Sequence, residues 1–338
     1  TYNSVINACA KAGSVAKAEH WVAQMQQAGL AGNRITYGSV INACAKAGDS
    51  KRAEAWLHKM KQAGWAADTI VYSTVINACA RAGEIEKGEE WFAKMQKDGI
   101  PGNAITYSSL IVAHARKGAL ERAEAWADHM LKVGVPGDSV SYNTLIFACA
   151  KAGESERAEI WFNRMHSLGL KANSFTYNGV MAGCARAGKL DRAEKWWNRT
   201  RDAGVEVTNA TYHNVIMAAV RAGAQARAEG WLRRAKREGA QLQASTYCAA
   251  IVTLCKVGHA EHAEQWFDRL KAEGLQADGA TYNSLIALYS SNGDGERAER
   301  WFDEMVRAGL QARCHTFNLL AEAWKNAGQP ERAGKWLQ

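Results

Sequence analysis

Apolar side chains fall at Tyr2, Val5, Ile6 and Cys9, spaced i, i+3, i+4 and i+7, and again at Ala18, Trp21, Val22 and Met25. Each set forms one apolar stripe on a helix, with polar residues between, so this segment predicts two amphipathic helices in succession. The pattern then recurs with a step of 35 residues. The aromatic returns as Tyr37, Tyr72, Tyr107, Tyr142, Tyr177, Tyr212, Tyr247, Tyr282 and Phe317, and tryptophan keeps the same step from Trp21 and Trp56 to Trp301 and Trp336. Gly13 and its counterparts as far as Gly328 follow the first helix, and Gly29 and its counterparts as far as Gly309 follow the second. Glycine there suits a left-handed helix end. Strand-type alternation is absent, and only three prolines occur.

A fixed period of this size marks one small unit stacked many times. The expected fold is all-α, a right-handed superhelical solenoid of helix-turn-helix repeats in one continuous array over 1–338. Its repeats fall at about 1–33, 34–68, 69–103, 104–138, 139–173, 174–208, 209–243, 244–278 and 279–313, with a partial copy at 314–338. In such an array the first helices line a concave inner face and the second helices a convex outer one. Trp21 and its equivalents, with Met25, Met60, Met95, Met130, Met165 and Met305, are expected to fill the interior. Glu19, Glu54, Glu89, Glu124 and the glutamates in register with them are assigned to solvated or inter-repeat contacts on the outer layer.

Composition narrows the picture only a little. Forty-two basic against 34 acidic residues leave a net charge of +8, which suits a polyanionic partner without identifying one. Of eight cysteines, Cys9, Cys44, Cys79, Cys149 and Cys184 occupy one repeat position, where other copies carry His114, Ala219 or Leu254. That is a modest buried side chain in a reducing compartment, not a disulfide framework. No stretch approaches the roughly 20 apolar residues of a membrane span, and no basic, apolar leader is visible. Thr1 already lies inside a repeat, so a targeting segment is expected upstream.

Catalytic and metal signals fail on spacing. His259 and Glu261, like His262 and Glu264, give half of a zinc-deaminase signature, but its Pro-Cys-x-x-Cys half is missing. Cys255, His259 and His262 are separated by the helix break at Gly258 and lack a fourth ligand. Gly293-Asp294-Gly295 coincides with an inter-helix turn and lacks the Gly-Lys-Ser/Thr of a phosphate loop. No enzyme activity, cofactor or metal is expected.

The segment TYNSVINACAKAG at 1–13, followed by Ala-Glu-x-Trp-x-x-x-Met at 18–25 and Ala-Gly at 28–29, resembles the pentatricopeptide repeat, a 35-residue helical hairpin. The resemblance covers essentially the whole chain and is nearest to forms from organelles of unicellular algae and protists. Gly32, Ala67, Gly102 and Gly137 stand where the family often has proline. The resemblance implies single-stranded RNA binding in a mitochondrion or chloroplast, one nucleotide per repeat. It places the readers just after the tyrosine and at the last residue of each repeat: Asn3 with Asn33, Gly38 with Asp68, Ser73 with Asn103, Ser108 with Asp138, Asn143 with Asn173, and Asn178 with Thr208. His213 with Gln243, Cys248 with Asp278, Asn283 with Arg313, and the unpartnered Asn318 are unfamiliar combinations.

By the same analogy Ile35, Ile70, Ile105, Val140 and Phe175 flank the bases, a series that ends at Ala210, Ser245, Ala280 and His315. An Asp only accepts and suits G or U, whereas an amide donates to the ring nitrogen of A or C. A short Ser leaves room for a purine, and Asn fills the gap before a pyrimidine. The implied order is pyrimidine (C favoured), G, A, G, pyrimidine (C favoured), pyrimidine. Lys11, Lys46, Arg81, Arg116, Lys151, Arg186, Arg221 and Lys256 share one repeat position and are candidates for phosphate neutralisation.

Simpler roles exist for all these columns. Asn and Asp before a helix are ordinary N-caps, and basic residues at a helix C-terminus are favourable with its dipole. The two reader columns, however, vary from copy to copy while the packing columns do not. The alternative function is a protein-binding subunit of an organellar ribonucleoprotein or membrane complex. It draws support from the basic group Arg233, Arg234, Lys236 and Arg237.

Overall fold

Each copy of the pattern folds as a helical hairpin. The computed structural model describes residues 2–336 and contains twenty α-helices and no strand among them. They gather into two compact units, one running to Ala172 and the other from Asn173, with Gly153–Ser155 grouping with the second.

In the first unit the first helices are α1 (Tyr2–Lys11), α3 (Arg34–Ala47), α5 (Thr69–Ala82), α7 (Ala104–Lys117) and α9 (Ser139–Ala152). Their partners are α2 (Val15–Gln27), α4 (Ser50–Gln62), α6 (Ile85–Lys97), α8 (Leu120–Lys132) and α10 (Ser155–Ser167). Successive first helices pack side by side, and α1, α3, α5 and α7 each also pack on the second helix of their own copy. The second unit repeats this with first helices α11 (Ser174–Arg186), α13 (Asn209–Arg221), α15 (Ala244–Val257), α17 (Gly279–Ser291) and α19 (Cys314–Asn326). Their partners are α12 (Leu190–Asp202), α14 (Gln225–Arg237), α16 (Ala260–Ala272), α18 (Gly295–Arg307) and the short α20 (Pro330–Gly334).

Helix ends follow the glycine columns. Every described glycine of the two columns has φ between 64° and 85°. At Gly48 the backbone N–H reaches Ala45 O at 3.2 Å and that of Asp49 reaches Cys44 O at 2.9 Å, the paired bonds of a Schellman end.

The core is made of the predicted stripes. Tyr72, Ile76, Leu57 and Met60 are fully buried in the first unit, and Ala53, Ala123 and Ala158 let the helices of a copy approach closely. Each large apolar side chain removed from water contributes about 1.5–3 kcal/mol. Most of the tryptophan column is buried as expected, but Trp21 is 36% exposed, a correction. Trp126 and Trp231 are half-buried. Cys44 and Cys79 are buried, and burial pushes their thiols up to about 12.

The glutamate column takes the inter-repeat role. Trp56 donates its indole N–H to Glu19 at 2.9 Å and Trp91 to Glu54 at 2.8 Å, each bond tying one copy to the copy before. In the second unit Trp231 does the same to Glu194 at 2.8 Å. The interior therefore runs between copies as well as within them.

Candidate functional site

The last residue of each copy sits at the N-terminus of the next first helix. Asn33 has extended backbone (φ −108°, ψ 179°), and its Oδ1 accepts the Thr36 N–H at 3.1 Å. Asp68 caps Val71 at 2.9 Å, Asn103 caps Thr106 at 3.0 Å, Asp138 caps Ser141 at 2.8 Å and Asn173 caps Thr176 at 3.1 Å. Thr208 forms a capping box with Thr211. The capping role is thus real, and it consumes one side-chain oxygen. What remains is chemically one-sided: Nδ2 of an Asn can only donate, and Oδ2 of an Asp can only accept.

The residue after the tyrosine approaches this cap from thirty residues earlier. Asn3 Nδ2 lies 3.4 Å from Asn33 Oδ1, Ser73 Oγ 3.2 Å from Asn103 Oδ1, Ser108 Oγ 3.3 Å from Asp138 Oδ1, and Asn178 Nδ2 3.2 Å from Thr208 Oγ1. The structure therefore brings four of the six expected pairs into direct contact. Gly38 has no side chain, and a Cβ there would meet nothing within 4 Å, so the space beside Asp68 is open. Asn143 and Asn173 lie in different units.

A third column, which the sequence reading missed, joins these pairs. Thr36 Oγ1 lies 2.7 Å from Asn3 Oδ1, and Thr106 Oγ1 lies 2.7 Å from Ser73 Oγ. In the second unit Thr246 Oγ1 is 3.0 Å from His213 Nδ1 and Thr316 Oγ1 is 2.8 Å from Asn283 Oδ1. All four hydroxyl residues are buried. Their near-constant place just before the tyrosine was the available signal.

Beside the pairs stands a row of apolar side chains left in solvent. Ile35 is 63% exposed, Ile70 70%, Ile105 59%, Val140 60% and Phe175 57%. One exposed apolar residue needs no explanation, but the four of the first unit at one register position form a contact surface.

The basic column is exposed throughout at Lys11, Lys46, Arg81, Arg116, Lys151, Arg186, Arg221 and Lys256. Lys46 Nζ donates to Lys11 O at 2.8 Å and Arg81 Nη1 to Lys46 O at 3.0 Å, so each reaches the open C-terminal carbonyls of the first helix before it. Arg221 makes the matching bond to Ala185 O at 2.9 Å. A guanidinium has five N–H groups, and one such bond leaves the rest available. Desolvation, and then the charge of Arg186, lower the Arg221 pKa; desolvation, and then Arg221, hold His213 below the usual imidazole value. Positive charge is thus crowded along this edge of the second unit.

A concavity in the first unit collects all three classes. It is lined by Arg81, Ile105, Ser108, Arg116 and Asp138, together with Asn77 and Val112. Val112 lies four residues after Ser108 and four before Arg116, on one face of α7, a spacing that would have identified it. A polar pair, an apolar wall and two cations are the groups needed to meet a base edge, a base face and a phosphate.

The second copy departs from this plan. Arg34, at the first residue of α3, forms an ion pair with Asp68 Oδ2, so both oxygens of that carboxylate are engaged within the protein. Elsewhere, among the described residues, no three His, Cys, Asp or Glu side chains gather as a metal site requires. Among the described residues, no helix is long and apolar enough to cross a membrane.

Comparison with known proteins adds the following. The family model described as the pentacotripeptide-repeat region of PRORP matches residues 36–228, more than half of the chain. Models of the PPR repeat family, the pentatricopeptide repeat domain and the PPR repeat match 1–46, 230–292 and 280–310. No curated protein matches the chain. Among solved structures, PPR10 in complex with an 18-nt psaJ RNA element is 22% identical, with 99% of this chain and 52% of that chain covered and a TM-score of 0.51. The chain thus spans about half the length of PPR10, and the likeness shows the fold. The PPR domain of Arabidopsis thaliana protein-only RNase P 1 in complex with tRNA is 15% identical, with 56% and 94% covered and a TM-score of 0.45.

Proposed function

This chain belongs to the pentatricopeptide repeat family, and on that premise we propose that its first helices bind single-stranded RNA with one nucleotide per copy. The role is processing, stabilising or translating an organellar transcript, in a mitochondrion or chloroplast. One observation carries this reading: Ser108 and Asp138 share a concavity with Ile105, Arg81 and Arg116. The action is steric and conformational. Occupying a single-stranded site excludes other factors, and no bond chemistry is asked of these residues.

The cap geometry gives the reading a polarity. With Oδ1 held by the helix, Asp138 offers only an acceptor, which suits the ring N–H of G, while Asn103 offers only donors, which suit the ring nitrogen of A. The readers give pyrimidine, G, A, G, pyrimidine, pyrimidine from the RNA 5′ side, with the second position weakened by Arg34. Beyond Thr208 the flanking row lacks large apolar side chains, and no base is assigned.

Binding of a short RNA carrying pyrimidine-G-A-G-pyrimidine against a scrambled one, at several salt concentrations, tests this. The ordered RNA should bind more tightly. Engagement of all eight basic positions predicts a slope of log K against log salt of about −5 to −6. Equal, weak affinity for both RNAs would remove the assignment.

A second reading, a protein-binding subunit, is favoured by α14. Arg233 and Arg237 are exposed at i and i+4, and among the described residues neither has an ion pair or hydrogen bond, whereas Arg234 pairs with Glu238 and Lys236 with Glu273. Like charges at this spacing cost about 0.2–0.5 kcal/mol. Gly230 lies on the same face with nothing within 4 Å of its Cβ position, although mid-helix glycine costs about 1 kcal/mol. Leu232 and Leu242 line the adjoining groove. An acidic, partly apolar segment fits there. If Arg233→Glu with Arg237→Glu lowers RNA affinity as much as affinity for an amphipathic glutamate-leucine peptide, the patch is a nucleic-acid contact and this reading falls.

A further inference from the structure

We propose that a buried hydroxyl one residue before the aromatic of the next copy, Thr36 behind Asn3 and Thr316 behind Asn283, sets which hydrogen-bonding edge an asparagine reader presents, and so bears on specificity from behind the base-reading surface. The inference rests on the RNA-reading assignment and adds residues that act through the readers, as positioning residues.

The argument begins with one proton. Thr36 Oγ1 accepts the Asn33 backbone N–H at 3.1 Å, and its own proton is then free for an acceptor. Its shortest neighbour is Asn3 Oδ1 at 2.7 Å, against 3.0 Å for Asn33 Oδ1. Holding the carbonyl end of the Asn3 amide inward turns the nitrogen away from it. That nitrogen has only the 3.4 Å contact to Asn33 Oδ1, long enough for a base acceptor to displace. Asn283 is held in the same sense by Thr316 at 2.8 Å.

A serine reader is oriented by its own helix instead. Ser73 Oγ lies 2.6 Å from Thr69 O, a contact that only its own proton can satisfy, and 2.7 Å from Thr106 Oγ1. Its proton is spent within the protein, so toward the space in front of it Ser73 offers only lone pairs. The column therefore holds a donor edge outward on Asn3 and Asn283, whereas the acceptor edge of Ser73 is set by Thr69 O. Ser108, which bonds Ser141, follows Ser73 in its contact with the column.

The exception in the second copy supports the assignment. Its reader is Gly38, which has nothing to orient, and the residue 33 positions later is Val71, the one member of the column from 36 to 316 without a hydroxyl. Capping does not account for this, because Asp68 caps its helix beside Val71 as the others do. Burial does not either, since Val71 is 4% exposed and Thr36 1%. In the sixth copy the link is indirect: Asn178 reaches Thr208, and Thr208 reaches Thr211, at 3.2 Å each.

The test is a selectivity ratio. For Thr36→Val in the full chain, the preference for C over U at the first nucleotide should fall about five- to tenfold, as expected for one lost orienting hydrogen bond. The preference for G at the fourth nucleotide, read by the untouched Ser108 and Asp138, should hold. A purely structural role would lower the melting temperature and weaken all RNAs alike, leaving both ratios in place. The converse variant rebuilds the pair: Gly38→Asn with Val71→Thr should prefer a pyrimidine over G at the second nucleotide more strongly than Gly38→Asn alone, since a side chain has room at Gly38. An unchanged first-position ratio, or no gain from adding Val71→Thr, overturns the proposal. An unaltered chain without base preference at any position removes the RNA reading itself, and the inference with it.

Discussion

Trp161 donates its indole N–H to Glu124 across 2.7 Å, joining a copy of the repeat to the one before it. Glu124 also accepts from Arg157 and lies 3.7 Å from the Cys149 thiol. One half-buried carboxylate thus satisfies polar groups from both helices of the next copy. Removing it leaves those donors without an acceptor, so Glu124→Ala should destabilise the first unit by about 2–3 kcal/mol. Urea unfolding of the full chain, followed by tryptophan fluorescence, measures this.

The same carboxylate gives a pH dependence. Burial pushes Glu124 up, but bonds from Arg157 and Trp161 outweigh it and hold its pKa below the usual value. A folded-state pKa below the unfolded one means that the unfolded chain binds the proton more readily. The stabilisation is therefore complete above the ordinary carboxylate range, near pH 4.3, and is lost as pH falls through the depressed folded value. Unfolding midpoints measured from pH 7 down to pH 3 should decline less in Glu124→Gln than in the unaltered chain.

On the proposed function, the ion pair of Arg34 and Asp68 bears on specificity at the second nucleotide. Arg34→Ala frees Asp68 Oδ2, the acceptor that would meet a ring N–H. An exposed ion pair is worth about 0–1 kcal/mol, so the preference for G there should rise by a few-fold at most. Competition between RNAs differing only at that nucleotide reads the change. A preference that stays level would show that the ion pair does not restrain the carboxylate.

The exposed apolar row separates binding from folding. Ile105 is 59% exposed, so Ile105→Ala should leave unfolding within about 0.5 kcal/mol. The base that rests on it loses its flank, and RNA affinity should fall by about tenfold, in the range of one lost stacking contact. Parallel measurements of melting and binding on one preparation decide whether the row is a ligand surface.

The repeat register already contained the fold. Apolar spacing within a copy specifies helices because contacts at i, i+3 and i+4 are set by helix geometry alone, and Gly48 or Gly83 closes a helix wherever it stands in the chain. The two variable columns, which hold Ser73 and Asn103, were legible too, because they change from copy to copy while the packing columns stay constant. Contacts across copies were not legible. Trp161 to Glu124, Thr36 to Asn3 and Arg34 to Asp68 join residues 37, 33 and 34 apart. Whether such atoms come within 3 Å depends on how one hairpin packs on the next, to within fractions of an ångström. Periodicity ordered the columns, whereas tertiary packing decided that a cap spends one oxygen of Asp138, that a hidden hydroxyl holds Asn3, and that Arg34 occupies what Asp68 had left.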